Sequence, residues 1–168
     1  MEFNFCPECG TKTVPKNLGD HDNVPFCSIC KRPWFPFSYA CVIALVVDEN
    51  DNFAFIKESR YNLPENLYVG VAGHLEVGDT FEEAIKREVF EEIGLVADSV
   101  EYIKSYYHAK RDQIMVGFAV RVKHSEFRLS SEVDAAKWFA EHEARAALPK
   151  EGIIGQLLED YCELLLQD

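Results

Sequence analysis

The stretch from Thr80 to Gly94 constrains this chain most, because it specifies a helix whose core-facing stripe changes character halfway along. Thr80-Phe81-Glu82-Glu83 has the form of a capping box, with Thr80 as N-cap and Glu83 at the third helical position. Gly94 supplies the stop. At about 100° per residue, Phe81, Ala84 and Ile85 share one stripe and face a core. One turn on, Glu88, Glu91 and Glu92 take that stripe, flanked by Val89 and Ile93. Spacings of three and four residues put these acids on one face, where their charges repel. They also lie near the helix C-terminus, whose dipole disfavours anions by a few tenths of a kcal/mol, about 0.3 or more each. Lys86 and Arg87 neutralise part of this. A hard divalent cation with oxygen ligands neutralises it better. The alternative is a solvated acidic face.

The surrounding residues read as an α/β domain. Ala40 to Val47 is a continuous apolar strand, buried on both faces. Asp48 to Asn52 is a turn, and Phe53 to Lys57 returns as the second arm of a hairpin. Leu67 to Ala72 is a short strand ending in Gly73, followed by a loop in which Gly73 and Gly78 permit positive φ and close ligand approach. Val100–Tyr107, Gln113–Val122 and Ala136–Phe139 read as further strands, and Glu151–Leu166 as a closing amphipathic helix.

Residues 1–37 differ. They are rich in Cys, Pro, Asn and Gly, and a unit this short needs a metal or disulfides to hold it. Cys6-Pro7-Glu8-Cys9 and Cys27-Ser28-Ile29-Cys30 form two CxxC pairs separated by 17 residues, the spacing of a four-thiolate zinc ribbon. Four thiolates close a tetrahedral shell, so Zn²⁺ there is expected to be structural. Disulfides are the alternative, and they fit poorly with a cytoplasmic chain. Cys41 and Cys162 sit in apolar contexts and read as core residues. The Pro-aromatic run Arg32-Pro33-Trp34-Phe35-Pro36-Phe37 reads as a stiff linker into the domain at 38–168.

Bulk properties exclude some function classes. The formal charge is −12, which opposes broad binding to a phosphate backbone and suits a protein that gathers divalent cations. Acids that merely solubilise the surface are the plainer explanation for most of that charge. No apolar run approaches the roughly 20 residues that span a bilayer, and Met1-Glu2-Phe3-Asn4-Phe5-Cys6 does not read as a secretory signal. The expected location is cytoplasmic.

Gly73, five residues, Asp79, seven residues, Arg87-Glu88-Val89, one residue, Glu91-Glu92, one residue and Gly94-Leu95 together resemble the Nudix box over 23 residues. The family pattern has Glu where this chain has Asp79; every other fixed position agrees. The resemblance implies an α/β/α sandwich with a mixed sheet, preceded here by the small zinc ribbon. It implies an enzyme, a pyrophosphohydrolase acting on a nucleoside diphosphate linked to another moiety and using Mg²⁺ or Mn²⁺. Glu88, Glu91 and Glu92 would be the metal ligands, with the Gly73 carbonyl a further one. Arg87 would orient these carboxylates. Asp79, one methylene shorter than Glu, would pair with Arg87 loosely or through water. Glu88 is the favoured general base. Glu132 lies in a segment similar to one that brings an acid to the site in relatives, as an extra ligand or base; a loop acid capping a turn is the alternative.

A zinc ribbon preceding this domain further resembles the NADH pyrophosphatase branch. That branch carries Ser-Gln-Pro-Trp-Pro-Phe-Pro-x-Ser downstream of the box, whereas this chain reads Ser105-Tyr106-Tyr107-His108-Ala109-Lys110-Arg111-Asp112, and only the leading Ser fits. Tyr106 or Tyr107 would stack on a base or nicotinamide, and Lys110 or Arg111 would meet phosphates; aromatic core residues are the alternative for the tyrosines. The competing function is a non-catalytic nucleotide-sensing or nucleic-acid-binding module. Such a module is expected to lose box carboxylates, and this chain keeps all three. A scaffold role remains a third reading, with the ribbon and Pro-aromatic run as the interface of a homodimer.

Overall fold

Proline and glycine punctuation breaks the N-terminal segment into short strands: β1 (Val14–Leu18), β2 (His21–Cys27) and β3 (Arg32–Pro33), in an antiparallel sheet of that order. The β1–β2 turn needs only Gly19 and Asp20, and Gly19 takes the left-handed conformation (φ 60°) that a tight hairpin demands. The computed structural model describes residues 3–58, 64–149 and 151–166. It divides into two compact units, Met1–Tyr39 and Ala40–Asp168.

The Pro-aromatic run differs from the expected linker. Arg32 and Pro33 form the ribbon's third strand, and the Trp34 N–H donates to the Pro25 carbonyl at 2.8 Å. Phe3 packs against Trp34 and Phe37, with ring centroids 5.6 and 5.7 Å apart. A proline is tolerated in this strand because it lies at the sheet edge, where a missing N–H breaks no ladder. Contacts between these rings favour docking over extension.

The second unit is a sandwich built on β4 (Tyr39–Val47), β5 (Phe53–Glu58), β6 (Val71–His74), α1 (Phe81–Ile93), β7 (Ala97–His108), β8 (Gln113–Val122), β9 (Val133–Phe139), α2 (Glu141–Ala147) and α3 (Ile153–Leu165). The mixed six-stranded sheet runs β7-β8-β4-β5-β9, with β6 also paired to β4. β4 explains the layering. Its side chains alternate between faces: Val42, Ala44 and Val46 join a core with Ile85, Val89 and Ile93 of α1. Ile43, Leu45 and Val47 join a second core with Ala144 of α2 and Leu157 and Tyr161 of α3. A continuous apolar run is what a strand covered on both sides requires.

Several boundaries moved for identifiable reasons. The segment expected as a strand over 67–72 instead changes partner at Gly70: Val69 bridges Ile56 of β5, and Val71–His74 pairs with β4. A Cβ on Gly70 would lie 2.5 Å from Ile154 and 2.9 Å from the Ala44 carbonyl, so only glycine passes there. Helix α2 has no capping side chain to mark its start: Ala140, at its N-cap, carries no capping oxygen, and Glu143 instead accepts from the Ala140 N–H at 3.1 Å. No helix among the described residues is long and apolar enough to cross a membrane.

Candidate active site

The helix α1 begins and ends as its sequence demands. Thr80 Oγ1 accepts from the Glu83 N–H at 3.2 Å, and the Glu83 carboxylate accepts from the Thr80 N–H at 3.0 Å. Gly94 closes the helix at φ 74°, its N–H donating to the Phe90 carbonyl at 2.9 Å. The next segment completes the cap: the Arg128 and Ser130 N–H groups donate to the Ile93 and Glu92 carbonyls, each at 3.0 Å. These bonds satisfy carbonyls that a helix end leaves open. They also tether the turn carrying Glu132 beside the acidic end of α1.

Along α1, Ala84, Ile85, Val89 and Ile93 are buried, and so is Glu92, at 6% exposure. Glu88 is largely covered and Glu91 exposed. The acid stripe therefore runs from core to solvent. β6 sets Gly73 directly under Glu88: a Cβ there would fall 1.9 Å from the Glu88 carboxyl carbon. Gly73 is thus required for space; among the described residues, Gly78 (φ 102°) is the loop glycine that uses positive φ.

Arg87 is the hub of the site. Its Nη2 donates to Asp79 Oδ2 and to the His74 carbonyl, both at 3.0 Å. Its Nη1 donates to Glu88 Oε1 at 2.9 Å and to Glu91 Oε2 at 3.2 Å. The expectation of a loose or water-bridged Asp79 contact is corrected: the ion pair is direct. The 74–79 loop folds back far enough to offset the missing methylene, and Asp79 also accepts from the Glu76 N–H at 3.0 Å. That backbone bond, with Arg87, holds the Asp79 carboxyl below its ordinary range. Burial pushes the Glu88 carboxyl up, against the pull of Arg87. Burial would lower the Arg87 pKa, but its bonds to Asp79, Glu88 and Glu91 outweigh that and raise it. One guanidinium facing these three carboxylates leaves the wall net negative, and Glu92 adds to it.

Gly73, Arg87, Glu88, Glu91, Glu92, Arg111 and Glu132 line one cavity of about 340 Å³. The acids share its wall without converging on a point. Among the described residues, the only group of three or more such ligands gathered within 4.8 Å is the cysteine set. Arg87 accounts for part of this, since Glu88 and Glu91 both turn to its guanidinium.

The remaining sequence candidates lie elsewhere. Tyr106 does not line the cavity; its hydroxyl donates to Asp160 of α3 at 2.6 Å. Burial and that contact raise its pKa. Tyr107 is exposed and donates to Asp112 at 2.9 Å, and Lys110 lies in the exposed turn after β7. Sequence reasoning missed further residues that line the cavity, Cys41, Ala72, His74, Gln113 and Met115. Their signal was weak because they come from three strands far apart in the chain. Cys41 is 3% exposed, and burial raises its thiol pKa, consistent with a core residue.

In the N-terminal unit, Cys6, Cys9, Cys27 and Cys30 present sulfurs all within 4.8 Å of one another. The Cys9–Cys27 and Cys6–Cys30 separations are 3.5 and 3.9 Å. Tetrahedral thiolates at a Zn–S distance of about 2.3 Å stand roughly 3.8 Å apart, so the set fits that ion. Each knuckle ends in a left-handed residue, Gly10 (φ 69°) and Lys31 (φ 57°), and the Cys30 N–H points at Cys27 Sγ at 3.3 Å. The Thr11 hydroxyl beside Cys9 draws that thiol down to about 6, while Cys30, crowded by Cys9, moves up.

Comparison with known proteins places this architecture. Residues 38–161 match the NUDIX domain family. The chain is 32% identical over 155 residues to the NAD-capped RNA hydrolase NudC of Haemophilus influenzae, covering 92% of this chain and 58% of that protein. It is 33% identical over 153 residues to Nudix hydrolase 19, chloroplastic, of Arabidopsis thaliana, covering 86% and 34% respectively. The chain thus spans little more than half the length of the first and about a third of the second. Among solved structures, a NUDIX hydrolase from Nitrosomonas europaea superposes with a TM-score of 0.74 at 20% identity, covering 98% of this chain and 93% of that one. The NUDIX domain of Shewanella oneidensis NrtR, solved with ADP ribose, gives 0.64 at 18% identity, covering 78% and 90%. With a family match over residues 38–161, and Gly73, Arg87, Glu88, Glu91 and Glu92 of the box on one cavity, the chain belongs to the NUDIX domain family.

Proposed function

We propose that this chain hydrolyses the diphosphate bond of a nucleoside diphosphate derivative, such as NADH, ADP-ribose or a nucleotide sugar, with Mg²⁺ or Mn²⁺. The observation that carries this reading is the net-negative cavity wall that bears Glu88, Glu91 and Glu92, with Arg87 already committed to Asp79 and the His74 carbonyl. The donors are hard oxygens, the three carboxylates and the Gly73 carbonyl, which suit magnesium or manganese. The space left by the missing Gly73 side chain admits Glu88 to that set. When bound, such a cation supplies Lewis acidity to the phosphoryl group and acidifies water.

The chain's own groups do the rest. Glu88 accepts the proton of the attacking water. Arg87 orients Glu88 and Glu91. Glu132 faces the cavity from the turn before β9, as a further ligand or a second base. Arg111, on the same cavity, meets a substrate phosphate. The NudC relatives, named for hydrolysis of NAD-capped RNA, support a substrate built around a nucleotide diphosphate. Cys6, Cys9, Cys27 and Cys30 would hold Zn²⁺ in a structural role.

The test is a panel of NADH, ADP-ribose, nucleotide sugars, nucleoside triphosphates and an NAD-capped oligoribonucleotide, with Mg²⁺ or Mn²⁺, read as mononucleotide release. Turnover of at least one compound is expected, with Glu92→Gln about tenfold slower or worse. No turnover of any member by protein with intact carboxylates overturns the proposal. Salt-sensitive retardation of RNA or DNA without turnover would instead favour the binding-module reading, which the −12 charge opposes.

A further inference from the structure

The cavity has further lining residues that this chemistry does not use. β8, β4 and β6 lie side by side in the sheet. Ala72 and Met115 pack toward the core under α2 and α3. By strand alternation, His74 and Gln113 project from that same face. Cys41, the register partner of His74, lies on the strand between them. Its short side chain lets the two longer ones meet above it: the Gln113 side-chain nitrogen stands 3.3 Å from Nε2 of His74. The amide can present its nitrogen to an accepting Nε2 or its oxygen to an Nε2–H, and in either arrangement the pair keeps free donors and acceptors.

That set of donors and acceptors complements vicinal hydroxyls, each of which both donates and accepts. Resting on the diphosphate-hydrolase reading, we propose that His74 and Gln113 are specificity-determining residues that hydrogen-bond the hydroxyls of the sugar attached to the diphosphate. The acids of α1 hold one part of the ligand and this neutral pair another. A bound ligand covers this pair, so one without hydroxyls displaces its water without replacing those hydrogen bonds, and is disfavoured.

The decisive comparison is ADP-ribose against ADP esterified with ethanol, measured as calorimetric affinity and, separately, as kcat/KM with Mg²⁺. The wild-type protein should favour ADP-ribose at least about tenfold, and Gln113→Leu or His74→Leu should bring the ratio close to one, mainly through Kd and KM. Gln113→Asn, which keeps the amide, should retain part of the preference; unfolding would show as loss of binding to both ligands in one variant but not the other. Equal affinity of the wild type for the two ligands, or a ratio unchanged in both Leu variants, overturns the proposal, even if turnover upholds the hydrolase reading. Selective binding lost in the variants, but with no turnover, would uphold sugar recognition while sinking the hydrolase reading. Binding of neither ligand overturns it as well.

Discussion

At the residue scale, Gly73 and Glu88 act as one unit. The helix delivers Glu88, but only the absence of a side chain at Gly73 lets its carboxylate settle against β6. Gly73→Ala forces the flexible end of Glu88 to move, and little else, because β6 needs no unusual φ at this position. Activity is expected to fall about a hundredfold or more, as for displaced groups that must meet a reacting centre. The urea midpoint should change little. A Gly73→Ala protein with near-normal kcat would mean that Glu88 does not act from the position it occupies.

At the scale of elements, the β4–β5 turn shows how a buried charge is made tolerable. Asp48 is fully buried. Its carboxylate accepts from the Asn50 and Asn52 N–H groups, each at 2.8 Å, and faces His124 Nδ1 at 2.6 Å. Burial raises its pKa, but the bonds from Asn52, His124 and Asn50 outweigh that and hold it below the ordinary value. The folded state therefore binds this proton less readily than the unfolded chain does. Its stabilisation is fully present above the unfolded pKa of about 4 and is lost as pH falls through the depressed native value. Urea unfolding below about pH 5 should show this decline. Asp48→Ala should flatten part of it and cost about 2 kcal/mol at neutral pH, by stranding the donors. A variant with the wild-type acid slope would sink this account. β7 illustrates the limit of strand parity: its register shifts between Tyr102 and Lys104, so alternation counted from Val100 assigns the later tyrosines to the wrong faces.

At the scale of the molecule, two units keep order by different means. The sandwich has an apolar core on each face of its sheet. The N-terminal unit buries few apolar side chains and gathers four sulfurs instead. One zinc per chain is expected by elemental analysis, and Cys27→Ser should lose it. Stripping the metal with a strong chelator should abolish the near-ultraviolet signal of Trp34, since apo ribbons of this size rarely fold. Metal-free protein with an intact Trp34 signal would count against the structural role.

Read alone, the sequence determined what is local. Caps and a 3.6-residue period define α1 and its acid stripe; two CxxC pairs define the ribbon; an unbroken apolar run marks β4 as buried on both faces. The box residues carried the family with them. Tertiary structure alone decided how Asp79 reaches Arg87, that Tyr106 spends its hydroxyl on α3, and that His74, Cys41 and Gln113 line the cavity. The physical reason is range. A helix face is written in neighbours three and four residues apart. A sheet face is assembled from strands tens of residues apart, with a register that bulges and partner changes set outside the strand itself.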